Sequence, residues 1–244
     1  MKPNLEHYDQ FKSLLSGYQI NDEGKELLEQ TKLVLMTSPT SVGRNSIINE
    51  LVKTGEYEFI ISDTTRPKRE NNGVMEEDGV QYWFKSEEEI LEDLKAGRFL
   101  EADIIHNQQV SGISMRELEK ATKDNKIAID ELYYIGADKV KKVKPDTFVI
   151  FVLPPSYEEW MRRLLGRGEM TTDEVKNRLK SAELELESTA ERDYYRYVIN
   201  DDLQEATQTV RRIVEKGEYS EEEHQKGKDL AWKLLSEVKK QLYS

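Results

Sequence analysis

Two short segments carry residue types that could hold an anion. In the first, Ser38-Pro39-Thr40-Ser41-Val42-Gly43-Arg44-Asn45-Ser46 follows the apolar run LVLM (33–36) and precedes helix-spaced Ile47, Ile48 and Leu51. A strand, a small-residue loop and a helix starting near Gly43 form the context of a phosphate-binding loop. Amide N–H groups at the helix start attract anionic oxygens, glycine permits close approach, a cation adds charge and a hydroxyl holds magnesium. Against the pattern GxxxxGK[ST], Ser38 replaces the first glycine, Gly43 is kept, Arg44 replaces lysine and Asn45 replaces the hydroxyl residue. As a bare motif it fails. In the second segment, Arg66 and Arg69 lie three residues apart with Lys68 between, after the strand-like run EFIIS (58–62). Two guanidinium forks at that spacing can clamp one phosphate, and a solvated basic loop is the plainer reading.

The rest of the composition removes other chemistries. The chain has 244 residues and no cysteine, so disulfides, zinc-thiolate sites and thiol nucleophiles are excluded. His7, His106 and His224 show no metal-ligand spacing. With 36 basic and 48 acidic residues the net charge is −12, which repels a nucleic-acid backbone and leaves any anionic ligand to a local Arg/Lys cluster. The longest apolar run, Phe148–Leu153, has strand length, far short of the roughly 18 residues of a membrane span. The start, MKPNLEHYDQ, lacks an apolar leader stretch, which points to the cytoplasm.

Those segments must be positioned by alternating strands and helices. Strands are predicted at 33–36, 58–62, 80–84, 99–105, 127–131, 147–153 and 195–200. Between them, helices are predicted from the capping pairs Ser86/Glu89, Ser114/Glu117, Ser156/Glu159 and Thr171/Glu174, the last running to about Arg192, and over 136–144 and 203–215. Strands separated by helices imply βαβ units and an α/β fold with a mainly parallel sheet. Residues 80–105 suggest a small inserted lobe. Two flanks lie outside this pattern: one or two short helices in 1–31, and a helix in 215–244 opened by Ser220/Glu223. The latter carries an apolar stripe from Leu230 to Leu242, read as docking onto the chain's own core or as a dimer contact.

The loop's spacing resembles the GPSGVGKST loop of guanylate kinases, and further segments follow in family order. SDTTRPKR (62–69) looks like that family's GMP-phosphate segment, DGVQYWF (78–84) its DGxxYxF, and GRFLEADIIH (97–106) its GxFLEWAxxH. LPPS (153–156), RLLGRG (163–168) and VINDD (198–202) match in turn, so the resemblance covers about 32–214. It implies a P-loop kinase fold of three layers, a monophosphate-binding lobe near 62–114 and a lid near 163–178. It also implies ATP held by Pro39, Thr40, Ser41, Val42, Gly43, Arg44, Asn45 and Ser46 with Asn200 on the adenine side, and Mg2+ near Asn45 and Ser46. GMP would meet Ser62, Arg66, Arg69, Tyr82, Glu101 and Ile113. Arg44, Arg163, Arg167 and Arg178 would stabilise charge during phosphoryl transfer.

Glu101 matches the family's guanine-reading carboxylate, which accepts from the ring N–H and exocyclic amine and rejects adenine. The departures are specific. Arg44 is larger and planar where the family has lysine, Asn45 offers no hydroxyl, Ser111 and Ile113 replace the Tyr and Ser/Thr of YGTS, and Tyr133 falls on the family's aspartate in EIDVQG. The leading expectation is an ATP:GMP phosphotransferase acting on free nucleotides. A catalytically silent guanylate-kinase-like binding module and a kinase with another monophosphate acceptor are the alternatives.

Overall fold

The computed structural model describes residues 5–71, 73–166, 168 and 170–243. Helices α1 (Tyr8–Ser16) and α2 (Asp22–Gln30) precede β1 (Leu33–Thr37), a strand buried at every position, and α3 (Arg44–Lys53). Short strands follow: β2 (Tyr57–Phe59), β3 (Asp63–Thr64), β4 (Glu70–Asn71), β5 (Val74–Met75) and β6 (Trp83–Phe84). Then come α4 (Glu87–Lys95), β7 (Phe99–Ile105), β8 (Gln109–Ser114), α5 (Met115–Lys123), β9 (Ile127–Glu131), α6 (Tyr134–Val143) and β10 (Phe148–Leu153). The described chain closes with α7 (Tyr157–Leu165), α8 (Thr172–Ser188), β11 (Tyr195–Ile199), α9 (Leu203–Lys216) and α10 (Glu221–Tyr243). Strands β11-β10-β1-β9-β2 form a mainly parallel sheet in that order, and β6-β3-β8-β7 a second sheet.

The chain divides into two compact units. One gathers the residues up to Lys32, Glu58–Asp130 and Asp138–Pro145. Its four-stranded sheet pairs β3 in parallel with β6 and antiparallel with β8, and β8 antiparallel with β7. An apolar cluster joins Leu5 and Phe11 to Ile90, Leu91 and Leu94 of α4 and Phe99 and Ala102 of β7. The other unit holds Leu33–Tyr57, Glu131–Ala137 and everything from Asp146 onward. In it β1 pairs β10 and β10 pairs β11, both in parallel, while α3 packs on α9 and α10 packs on α8 and β11. The buried residues of α10 include Ala231, Leu234, Leu235, Val238 and Leu242, so the C-terminal stripe serves the chain's own core.

The structure departs from the sequence reading in the added strands β4, β5 and β8 and in four predicted features. Residues 80–84 yield only the two-residue β6, because Gly79 at φ +75° and the turn after it hold Val80 exposed. The run 58–62 is split, β2 ending at Phe59 and β3 beginning at Asp63 in the other sheet. Ser114 does not cap α5: its hydroxyl is buried without a partner, and Glu117 turns away to accept from the Trp83 indole at 3.0 Å. Helix α8 ends at Ser188, four residues early, where Thr189 closes it with a side-chain bond to the Leu186 carbonyl.

Candidate functional site

The 38–46 segment is held in the unit built on β1, β10 and β11. Ser41 and Gly43 both take left-handed backbone (φ +67° and +92°), which turns the chain sharply into α3 with Gly43 as its N-cap. A Cβ on Gly43 would stand 2.2 Å from the Asn200 amide nitrogen, so glycine is required for space as well as for conformation. The loop thus leads into the N-terminus of α3, and backbone N–H groups at a helix N-terminus are the ordinary cradle for phosphate oxygens.

Neighbouring side chains fix this loop. Asn200, expected on the adenine side, is buried at the end of β11 and donates its amide to the Val42 carbonyl at 2.8 Å. Trp160 of α7 donates to the Thr40 carbonyl at 2.8 Å. Arg163 donates to the Asn200 carbonyl at 2.8 Å and to Glu159 at 2.7 Å, while Arg178 reaches the Thr40 hydroxyl at 3.4 Å. Arg163 and Arg178 thus converge on the loop; Arg167 lies outside the described residues. Pro39 is buried, and Asn45 and Ser46 lie exposed on the first turn of α3.

Arg44 is engaged. Its guanidinium donates to Glu131 at 2.5 Å, its Nε is buried without a partner, and Glu185 of α8 adds a second carboxylate within electrostatic reach. Burial pushes the Glu185 carboxyl up to about 8, with Arg44 pulling against that shift. Tyr133, which stands on the family's aspartate position, is 40% exposed and meets the Tyr134 ring at a tilt, centroids 4.3 Å apart; Tyr134 in turn lies beneath Arg192. Glu131 as a partner for Arg44 was not legible in the sequence.

The second cluster lies in the other unit. Arg66 is only 7% exposed, forks onto Glu76 at 2.7 and 3.0 Å, and packs over the rings of Tyr82 and Phe84 at 5.1 and 5.5 Å. The same carboxylate accepts from the Arg69 backbone N–H, and the Arg66 guanidinium holds its pKa down at about 2. Arg69 is exposed and its side chain makes no ion pair among the described residues. Of the two forks expected to share a phosphate, one is pre-set by a carboxylate and one is open. Glu76 was missed in the sequence; the EED that follows the basic cluster was the signal.

Ser62 is half-buried and its carbonyl accepts from Trp83, while Ser111 donates to the Thr64 hydroxyl at 2.8 Å. Glu101 is 7% exposed on β7 and faces Ile113 across the ladder, with Ile113 fully buried. Burial pushes the Glu101 carboxyl up to about 7, Lys139 pulling it down and Asp103 pushing it further up. The ionised form of Glu101 offers two acceptor oxygens, and burial makes that form costly unless N–H donors meet it.

A mainly parallel α/β sheet whose first strand leads through a glycine-turned loop into a helix N-terminus, with a separate lobe of short strands, has the form of a P-loop kinase fold. The guanylate kinase family profile matches residues 30–217, and the chain belongs to that family. It is 34% identical to the guanylate kinase of Sulfurimonas denitrificans over 185 residues, covering 75% of this chain and 86% of that one. Identity is 36% over 184 residues to the guanylate kinase of Thermotoga maritima, with the same coverage of 75% and 86%. The crystal structure of guanylate kinase from Anaplasma phagocytophilum superposes with a TM-score of 0.56 at 23% identity, over 78% of this chain and 88% of that one, and shares the fold.

Proposed function

We propose that the chain transfers the γ-phosphoryl group of ATP to GMP, giving ADP and GDP. The observation that carries this is the pairing, within one member of the family, of a glycine-turned amide cradle at Ser41–Ser46 with an open Arg69, a pre-set Arg66 and the buried Glu101. On this reading the α3 amides and Arg44 take the donor phosphates, while Arg163 fixes the loop and Arg178 neutralises charge in transit. Arg66, Arg69, Tyr82 and Ser62 hold the acceptor phosphate, and Glu101 reads guanine.

The residues present fit Mg2+ in the manner usual for nucleotide kinases. No cluster of three or more His, Cys, Asp or Glu able to cage a metal exists among the described residues. An exposed Ser46 hydroxyl, the Asn45 amide oxygen and the Glu131 carboxylate would complete a shell supplied mainly by nucleotide phosphates. When bound, the ion neutralises phosphate charge.

The test is a coupled assay of ADP formation with ATP, Mg2+ and GMP, extended to dGMP, IMP, AMP and UMP. Turnover with GMP that falls at least tenfold in Arg66→Ala supports the reading. No turnover above background with any acceptor, alongside calorimetric binding of GMP but not of Mg-ATP, would make the chain a binding module instead. Turnover that prefers another monophosphate would move the assignment to the altered Ile113 and Tyr133 positions.

A further inference from the structure

The segment ahead of the family region clamps the strand that carries Glu101. Tyr18 donates its hydroxyl proton to the Phe99 carbonyl at 2.8 Å and accepts from the Phe99 N–H at 2.7 Å. Asn21 donates its side-chain amide to the Ala96 carbonyl at 2.9 Å and its backbone N–H to the Gly97 carbonyl at 3.1 Å. Gly97, at φ +67°, leaves the Asn21 backbone nitrogen 2.7 Å from where a Cβ would stand, so the two backbones touch. Residues 18–21 thus hold residues 96–99 by four hydrogen bonds, and both partners lie in the same unit.

That clamp sits on an irregularity. In the β7–β8 ladder Phe99 faces Ser114 and Glu101 faces Ile113, so three residues of β7 span two of β8 and Leu100 is the extra one. Such a bulge reverses which face the following residues occupy. The packing records the reversal: Phe99 and Ala102 lie in the apolar cluster with Leu5, Phe11 and α4, and Ile104 packs against it. In a regular strand Glu101 would share the face of Phe99 and enter that cluster. Instead it lies on the face of Asp103, whose carboxylate meets Lys139 at 2.6 Å. Because β7 is an edge strand, the Phe99 backbone groups have no neighbouring strand on that side, and the Tyr18 hydroxyl takes both.

We propose that Tyr18 is a positioning residue for base recognition: its hydroxyl pins the Leu100 bulge, and the bulge turns Glu101 out of the apolar cluster and onto the acceptor face. The inference rests on Glu101 being the base reader. It extends the acceptor site into a segment outside the matched region of residues 30–217.

The test uses the full-length chain and calorimetric affinities for GMP and IMP, which share the ring N–H but differ in the exocyclic amine. Tyr18→Phe keeps the ring against the cluster and removes the hydroxyl. Expected are a loss of GMP affinity of roughly tenfold, a smaller loss for IMP, an unchanged affinity for Mg-ATP, and faster hydrogen exchange at the Phe99 amide. Leu15→Ala thins the same cluster without touching these bonds, and should lower the Tm while leaving the GMP-to-IMP ratio unchanged. A Tyr18→Phe ratio equal to wild type, or a ratio loss matched by Leu15→Ala, overturns the positioning role while leaving the Glu101 reading intact. An unchanged ratio in Glu101→Gln sinks that reading and the inference together.

Discussion

At the scale of single residues, the two units set the charge of their key side chains by different means. Glu101 sits where burial raises its carboxyl to about 7. Only the ionised form accepts from both guanine donors, so GMP affinity should rise by roughly tenfold between pH 6 and pH 8. Calorimetric titrations across that range check this, and Glu101→Gln should abolish the slope; an equal slope in that variant assigns the titration elsewhere. Arg44 is different, because Glu131 holds it at 2.5 Å and orients the guanidinium toward the loop's own unit. Arg44→Met should lower kcat by about 10²–10³-fold, the usual cost of losing one preorganised charge in a transferring site. GMP affinity should stay within about twofold, since the GMP-reading residues proposed here belong to the other unit. Steady-state kinetics with both nucleotides varied separates the two effects.

At the scale of elements, what could be read in advance depended on whether a local rule was allowed to operate. The Thr171 and Ser220 caps formed as their spacing predicted, with reciprocal side-chain and backbone bonds, because those turns are exposed and nothing competes. The Ser114 cap failed because the half-buried Trp83 indole claimed Glu117. Strand β8 was missed: QVSGIS shows apolar residues only at Val110 and Ile113, and Gly112 is there for space, a Cβ standing 2.5 Å from the Glu101 carbonyl. The strand–loop–helix form of residues 33–53 was legible from its spacing, whereas the commitment of Asn200, Trp160 and Arg163 to holding the loop is tertiary and left no local trace. Gly227 of α10 offers a test of the same distinction. Helix propensity alone says that alanine there gains up to ~1 kcal/mol. The structure says the opposite, since a Cβ would stand 2.1 Å from Tyr197 Cβ across the α10–β11 contact. Gly227→Ala should therefore destabilise by about 1–3 kcal/mol, lowering the Tm by roughly 2–10 °C, as read by thermal unfolding.

At the scale of the whole molecule, the net charge of −12 makes pH a strong variable, and particular carboxylates set the sign. Glu76 and Glu159 are held down at about 2 by arginine hydrogen bonds. Their stabilisation is present above the ordinary carboxylate range and is lost as pH falls toward 2. Glu101 and Glu185 are raised, to about 7 and about 8, chiefly by burial. In the window from the ordinary value near 4.5 up to 8 the native state keeps protons that the unfolded chain has released, so stability falls as pH rises through it. The two pairs bracket a stability maximum near pH 5, and general repulsion among the excess acidic residues steepens the alkaline side. A curve of Tm against pH cannot by itself separate repulsion from the buried groups, but Glu185→Gln can. It removes one titrating proton while changing the net charge by a single unit. At pH 8 the variant should melt roughly 2–6 °C above wild type, and at pH 5, where Glu185 is already protonated, the two should coincide. A gain of equal size at both pH values would instead make the effect one of packing, and the alkaline decline would belong to surface repulsion alone.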